Sequence, residues 1–200
     1  MPKKSCTITS CKKRGEHPIF YYDDKTENEI KAGGVMFYTY DKKSRDLKFL
    51  MIKNRNRYED FGGKTDKVDL SIEETVAREV EEESNGIFKK SDIIDRIKDK
   101  KPIYTKNSKY LIYFCKLKKN ENYNADIFGD REFYENVPRT VEWITYGALK
   151  NSSFVKDNLN FRLKFKHFFD KMNKLNSKYI KNTPHAGMSM STSMSTSTSC

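Results

Sequence analysis

The sequence predicts an α/β chain of the α+β kind, folded as a single domain, on three observations. Two β-branched and aromatic runs separated by a polar turn read as a hairpin. A capped segment with apolar residues every four positions reads as a helix. Strand-like runs then return, and the chain closes on a second amphipathic helix.

The 200 residues are enough to bury a core. Lys plus Arg number 39 against 28 Asp plus Glu, a net charge of +11, and that sign favours anionic partners such as nucleotides, RNA or a membrane surface. No apolar run approaches the roughly 18 residues that span a bilayer, and the basic start "MPKKSCTITSCKKRG" lacks the apolar segment of a signal peptide. The expectation is an intracellular, cytoplasmic chain without membrane contact. The four cysteines, Cys6, Cys11, Cys115 and Cys200, are too sparse and irregular for a disulfide framework. Cys115 in "YLIYFCKL" reads as a buried thiol. Cys6 and Cys11 with His17 are too loosely spaced for a zinc site and read as free thiols. Asn151-Ser152-Ser153 matches a glycosylation acceptor, read as accidental without a secretory signal.

In chain order, residues 1–30 read as a polar, loosely attached arm with "IFYY" as its apolar cluster. Residues 31–178 form the domain, and residues 179–200, ending "GMSMSTSMSTSTSC", form a low-complexity Ser/Thr/Met tail expected to be disordered. "AGGVMFYTYD" and "LKFLMIKNR" flank the turn "DKKSRD" as the hairpin. A short helix is predicted near "SDIIDRIKD", with strands at "PIYTK" and "KYLIYFCKLK". Residues 118–138 form a long polar loop of the kind that often carries function. "VEWITYGAL" is apolar again. Beyond it Phe161, Phe165, Phe168 or Phe169, Met172 and Leu175 recur at helical spacing, with Arg162, Lys164, Lys166, Lys171 and Lys174 between them. That helix reads as an aromatic stripe docked on the sheet with a solvated basic face.

The most informative stretch is "GGKTDKVDLSIEETVAREVEEESNG", from Gly62 to Gly86. Ser71 and Glu74 form a capping-box signature in which the hydroxyl and the carboxylate exchange bonds with each other's backbone amides. The predicted helix spans 72–84. Ile72, Val76 and Val80 make its buried stripe, and Asn85 with Gly86 supply the left-handed exit. Glu79, Glu82 and Glu83 stand at i, i+3 and i+4, neighbours on one face. Three adjacent carboxylates repel one another, and in the C-terminal half of a helix they also oppose its dipole. Arg78 offsets part of that cost. A hard divalent cation such as Mg²⁺ or Mn²⁺ would offset far more, and the side-chain-free backbone of "GGK" permits close approach of a metal or a phosphate.

These residues resemble the Nudix hydrolase signature: Gly, five residues, Glu, seven residues, Arg-Glu, an apolar residue, any residue, Glu-Glu, any residue, Gly, apolar. "REVEEE" matches its second half at each defined place: Arg78-Glu79, Val80, then Glu82-Glu83. Gly63 is the opening glycine, with Gly62 before it and Lys64 after it. Asp69 stands where a glutamate is expected, in a loop one residue longer than the pattern, and no catalytic role is assigned to it. Asn85 takes the closing glycine's place.

The resemblance covers about residues 30–176 and implies an α/β/α sandwich with a mixed sheet. It also implies cleavage of a pyrophosphate bond, in a nucleoside diphosphate linked to another group, by metal-activated water. Glu79, Glu82, Glu83 and the Gly62 carbonyl would hold Mg²⁺ or Mn²⁺. Arg78 would orient a carboxylate, and Gly63 with Lys64 would meet the substrate. The base is Glu79 or a loop residue such as Glu132 or Glu135. Because some family members remove messenger-RNA caps, decapping stays open as an alternative, with RNA as a partner. So does a non-catalytic module that binds nucleotide or RNA. Oligomeric state is not readable.

Overall fold

Both faces of the central strands are apolar, and the architecture follows from covering both. The computed structural model describes residues 9–11, 17–121 and 123–181. In chain order the elements are β1 (Thr9–Cys11), β2 (Ile19–Tyr21), β3 (Glu29–Ile30), β4 (Ala32–Asp41), β5 (Asp46–Asn54), β6 (Arg57–Glu59), β7 (Phe61–Lys64), α1 (Ile72–Glu83) and α2 (Lys90–Ile97). Then come β8 (Ile103–Thr105), β9 (Tyr110–Lys116), β10 (Thr140–Thr145), α3 (Tyr146–Lys150), α4 (Ser152–Asn158) and α5 (Lys166–Lys181).

The large sheet has seven strands, ordered β10-β5-β4-β9-β8, with β6 on β5 and β7 on β4. β4 and β9 run parallel while the other pairs are antiparallel, so the sheet is mixed. The β4–β5 hairpin pairs Phe37 with Leu50 and closes at Asp41 and Asp46, as the sequence predicts.

Side chains alternate across a strand, so each central strand feeds two cores. Val35, Phe37, Leu50, Ile52, Leu111 and Tyr113 face one side, where Ile72, Val76 and Val80 of α1 and Ile93 and Ile97 of α2 pack. Met36, Phe49, Met51, Ile112 and Phe114 face the other, covered by Leu149, Leu159, Phe168 and Met172. Helices therefore lie on both faces of a mixed sheet in a single compact domain, the α/β/α sandwich expected.

Two segments differ from the sequence expectation. The second half of the supposed arm is packed: β2 and β3 pair in a small antiparallel sheet with β1, and Phe20 and Ile30 are fully buried in the α1 core. The "IFYY" cluster, through Phe20 and Tyr22, and Ile30 anchor a segment whose composition is otherwise polar. The last helix starts later than its aromatic spacing suggested. Phe161 and Arg162 belong to a separate tight helical turn, Phe161–Leu163, and α5 begins at Lys166. Phe168 and Met172 are buried as expected, with Phe165, Phe169 and Leu175 partly so. Phe161 is instead 78% exposed. The side chains of Cys6 and Cys11 and residues 182–200 lie outside the described residues. Among the described residues no helix is long and apolar enough to cross a membrane.

Candidate active site

Helix α1 carries the carboxylates, and its two ends are fixed by side chains. At its start Ser71 Oγ accepts from the Glu74 amide at 3.1 Å. The Glu74 carboxylate returns the bond to the amide of Leu70 at 2.9 Å, one residue earlier than a capping box places it. At its end the Gly86 amide donates to Glu81 O and the Asn85 amide to Glu82 O, with both residues at positive φ. This paired exit, with its left-handed residues, satisfies carbonyls that the helix leaves open.

Arg78 organises the exposed face. Its Nε and Nη2 donate to the two oxygens of Asp69 at 3.1 and 3.0 Å. Its Nη1 donates to Glu79 at 2.8 Å and Glu82 at 3.0 Å, and its Nη2 also reaches Lys64 O at 2.9 Å. Asp69, with no role assigned from sequence, is thus the buried anchor of the cluster. It accepts in addition from Thr75 Oγ1 and the Asp66 amide, both through Oδ2. The longer loop is absorbed by a turn in which the Asp69 amide bonds Asp66 O, and that turn delivers the carboxylate to Arg78.

The other side of the site joins the glycine pair to residues that the motif does not contain. β7 lies against β4 with Gly62 opposite Gly34, and a Cβ on Gly62 would strike Gly34 and the Tyr110 hydroxyl. A Cβ on Gly63 would strike the Glu79 carboxylate. These glycines therefore let the helix carboxylates meet bare backbone, and the Gly62 amide donates to Glu83 Oε2 at 2.5 Å. The Gly62 carbonyl, expected to face a metal, accepts from Arg162 Nη2 at 3.1 Å. Arg162 also donates to the Asp60 carboxylate and carbonyl at 3.1 and 3.0 Å. It stands 3.6 Å from Glu59 and 4.9 Å above the Tyr110 ring. Tyr110 completes the group by donating to Asp60 at 2.7 Å.

The loop at 118–138 forms the third wall. Asn85 Nδ2 donates to Phe128 O and Arg131 O, and its Oδ1 accepts from the Phe133 amide. Asn in place of glycine at the helix exit therefore ties this loop to α1. Arg139 adds a bond to Glu83 O at 2.6 Å and another to Phe128 O at 2.9 Å. The open cavity between these walls has a volume of about 370 Å³ and is lined by Glu59, Glu79, Glu82, Glu83, Glu132 and Glu135, together with Arg55 and Arg139. Glu132 accepts from the amides of Tyr134 and Glu135, so it shapes the loop as well as the wall. Glu135 is exposed. Lys64, the last residue of β7, is exposed and lies outside the cavity lining.

So many carboxylates in one cavity shift each other. Burial pushes Glu79 up to about 7, against the pull of Arg78 and with Glu82 and Asp69 adding to the rise. Burial raises Glu82 as well, again opposed by Arg78. Glu83 is held well above the usual carboxylate range by loss of solvation, with Glu59 and Glu79 reinforcing it. Burial raises Glu59 too, with Arg162 opposing and Asp60 adding. Asp69 goes the other way: burial alone would raise it, but Arg78, the Asp66 amide and Thr75 together hold it low.

Oxygen-only donors under mutual repulsion fit a hard divalent cation in type and in charge. Among the described residues no group of three His, Cys, Asp or Glu side chains already converges on one point. Arg78 Nη1 bridges Glu79 and Glu82, and the Gly62 amide takes Glu83.

The chain matches no family model and no curated protein sequence. It is similar to two solved structures of an Ap4A hydrolase from C. elegans. One, a binary complex, is 14% identical with a TM-score of 0.42, covering 76% of this chain and 99% of that one. The other is 14% identical with a TM-score of 0.43, covering 74% of this chain and 97% of that one. A likeness of that degree leaves the function to be read from the cavity.

Of the residues chosen from sequence, Glu79, Glu82 and Glu83 line the cavity together, and Arg78 grips two of them. Sequence reasoning missed Glu59, Asp60, Arg139 and Arg162. The adjacent acids in "RYEDFGGK", directly before the glycine pair, were the available signal for the first two. Arg162 gave no signal, because among basic residues at helical spacing it reads as part of a solvated face.

Proposed function

We propose that the chain is a Nudix-type hydrolase that cleaves a pyrophosphate bond in a nucleoside diphosphate linked to another moiety. One observation carries the reading: the three glutamates of "REVEEE" line one cavity, held by Arg78 and by the Gly62 amide, in the loop-then-helix setting that the motif requires.

Glu79, Glu82 and Glu83 would hold Mg²⁺ or Mn²⁺. Such an ion neutralises developing charge on the bridge oxygens and lowers the pKa of a bound water. Arg78 positions Glu79 and Glu82, while the Gly62 amide orients Glu83 and its carbonyl is shared with Arg162. Gly63 leaves room beside Glu79, and the Lys64 ammonium meets substrate phosphate. The proton acceptor is Glu79, Glu132 or Glu135, all on the cavity wall, and single Gln variants of each identify it by the largest loss of kcat with substrate affinity kept.

The test incubates the full chain with Mg²⁺ or Mn²⁺ and a panel of dinucleoside polyphosphates, nucleoside triphosphates, nucleotide sugars, inositol pyrophosphates and capped RNA. Metal-dependent turnover is expected for at least one, reduced about a hundredfold or more by Glu82→Gln and by Glu83→Gln. Tight binding of a panel member without turnover would identify a binding module instead.

A further inference from the structure

Beside the acidic cavity lies a second one with the opposite character. It has a volume of about 220 Å³ and is lined by Arg57, Leu159, Asn160, Phe161 and Lys164. Arg57 and Glu59 are two residues apart on β6, so they point to the same side of the strand, about 7 Å apart along it. Arg57 lines the second cavity and Glu59 the first. Between them Asn160 Nδ2 donates to Glu59 Oε2 at 2.7 Å, and the Asn160 amide bonds Tyr58 O.

Two features of this cavity suit an anionic ligand with a planar group. Arg57 Nη1 and Lys164 Nζ both donate to one oxygen, the Lys156 carbonyl, at 3.0 and 2.7 Å, which brings two like charges together. Phe161 beside them is 78% exposed, although neighbouring Leu163 is fully buried. Cations that converge next to an open aromatic face match a phosphate joined to a nucleobase, the base stacking while the anion relieves the repulsion.

We infer that this cavity is a subsite for a second nucleoside phosphate, the moiety on the far side of the bond that the acidic cavity cleaves. The inference rests on the hydrolase reading for its place in the reaction. Phe161 stacks the base, Arg57 and Lys164 take the phosphate, and the Asn160–Glu59 pair separates it from the acidic cavity. Substrates with two nucleosides are therefore held better than those with one. The second nucleoside phosphate has two sources, a free dinucleoside polyphosphate or the first nucleotide of a capped RNA.

AMP binding to the metal-free full chain, measured by calorimetry, tests the subsite apart from catalysis. AMP is expected to bind the wild type, about tenfold more weakly to Phe161→Ala and to the Arg57→Gln/Lys164→Gln double variant, and normally to Phe161→Tyr. No AMP binding to the wild type, or equal affinity in all four proteins, overturns the subsite. With substrates, Phe161→Ala is expected to raise KM about tenfold for a two-nucleoside substrate, with kcat and the KM of a nucleoside triphosphate unchanged. A rise confined to a dinucleoside polyphosphate assigns the subsite to a free dinucleotide, and one confined to capped RNA assigns it to a transcript; equal rises for triphosphate and two-nucleoside substrates overturn it. If no substrate is turned over, the hydrolase reading fails while the AMP result still decides the subsite.

Discussion

Arg78 and Arg162 do related work from two distant parts of the chain. Each grips a buried aspartate and a carbonyl of β7: Arg78 holds Asp69 and Lys64 O, Arg162 holds Asp60 and Gly62 O. Carbonyls two residues apart point to the same edge of a strand. The two guanidiniums thus fix one edge of the glycine strand and, with it, the position of the carboxylates. They differ in what else they touch. Arg78 also bonds Glu79 and Glu82, so it couples the strand to the proposed chemistry, whereas Arg162 stacks on the Tyr110 ring and couples the strand to the C-terminal segment. One arginine sets the face of the site and the other its foundation.

That division predicts opposite balances between stability and turnover. Arg162→Met leaves Asp60 buried with only the Tyr110 hydroxyl, and denaturant unfolding is expected to show a loss of about 3–5 kcal/mol. Arg78→Met leaves Asp69 with the Thr75 hydroxyl and the Asp66 amide, so the expected loss is smaller, about 2–3 kcal/mol, with the larger drop in kcat. Equal stability losses, or a greater loss of kcat in Arg162→Met, would break the comparison.

The contrast also explains what the sequence made legible. Arg78 was readable because a helix turns spacing into geometry: residues at i, i+1 and i+4 have known relations, and the cap at Ser71 fixes the register. Arg162 was not, because its partners Glu59, Asp60 and Gly62 lie a hundred residues away and only the docking of the C-terminal turn brings them near. Phe161 was misplaced for the same reason, since its spacing from Phe165 imitates a helix that begins only at Lys166. The "IFYY" cluster was visible, but the polar residues around it and the lone Ile30 hid that Phe20 and Ile30 are fully buried. Asp69 was undervalued because counting residues along a loop cannot show where the loop returns.

Smaller perturbations sharpen the account further. Gly63→Ala pushes a methyl against Glu79 and is expected to cost about 1–3 kcal/mol and reduce metal-dependent turnover, checked by thermal melts and initial rates. Asn85→Gly keeps the left-handed backbone but removes three bonds to the 118–138 loop. A loss of about 1–2 kcal/mol is expected, with faster proteolysis of that loop and α1 unchanged. An unchanged proteolysis rate would mean that Arg139, Trp143 and the buried Phe128 hold the loop without Asn85.

Without metal, the pH dependence of stability has two limbs of opposite sign in separate ranges. Glu79, raised to about 7, keeps a proton in the folded state that the unfolded chain releases near 4.5, so its stabilisation is present below 4.5 and lost as pH rises to about 7. Asp69, held low by Arg78, contributes stability above its ordinary value of 3.8 that is lost on further acidification. Melting temperatures across that range should flatten on the neutral side in Glu79→Gln and on the acid side in Asp69→Asn.

The most direct test of the central claim is Mn²⁺ binding to the wild type, followed by electron paramagnetic resonance, beside Glu82→Gln and Glu83→Gln. The account predicts saturable binding weakened about tenfold or more by either substitution, with turnover abolished by chelation and restored by Mg²⁺ or Mn²⁺. Unaltered Mn²⁺ affinity in both variants, or full turnover in excess chelator, would contradict it.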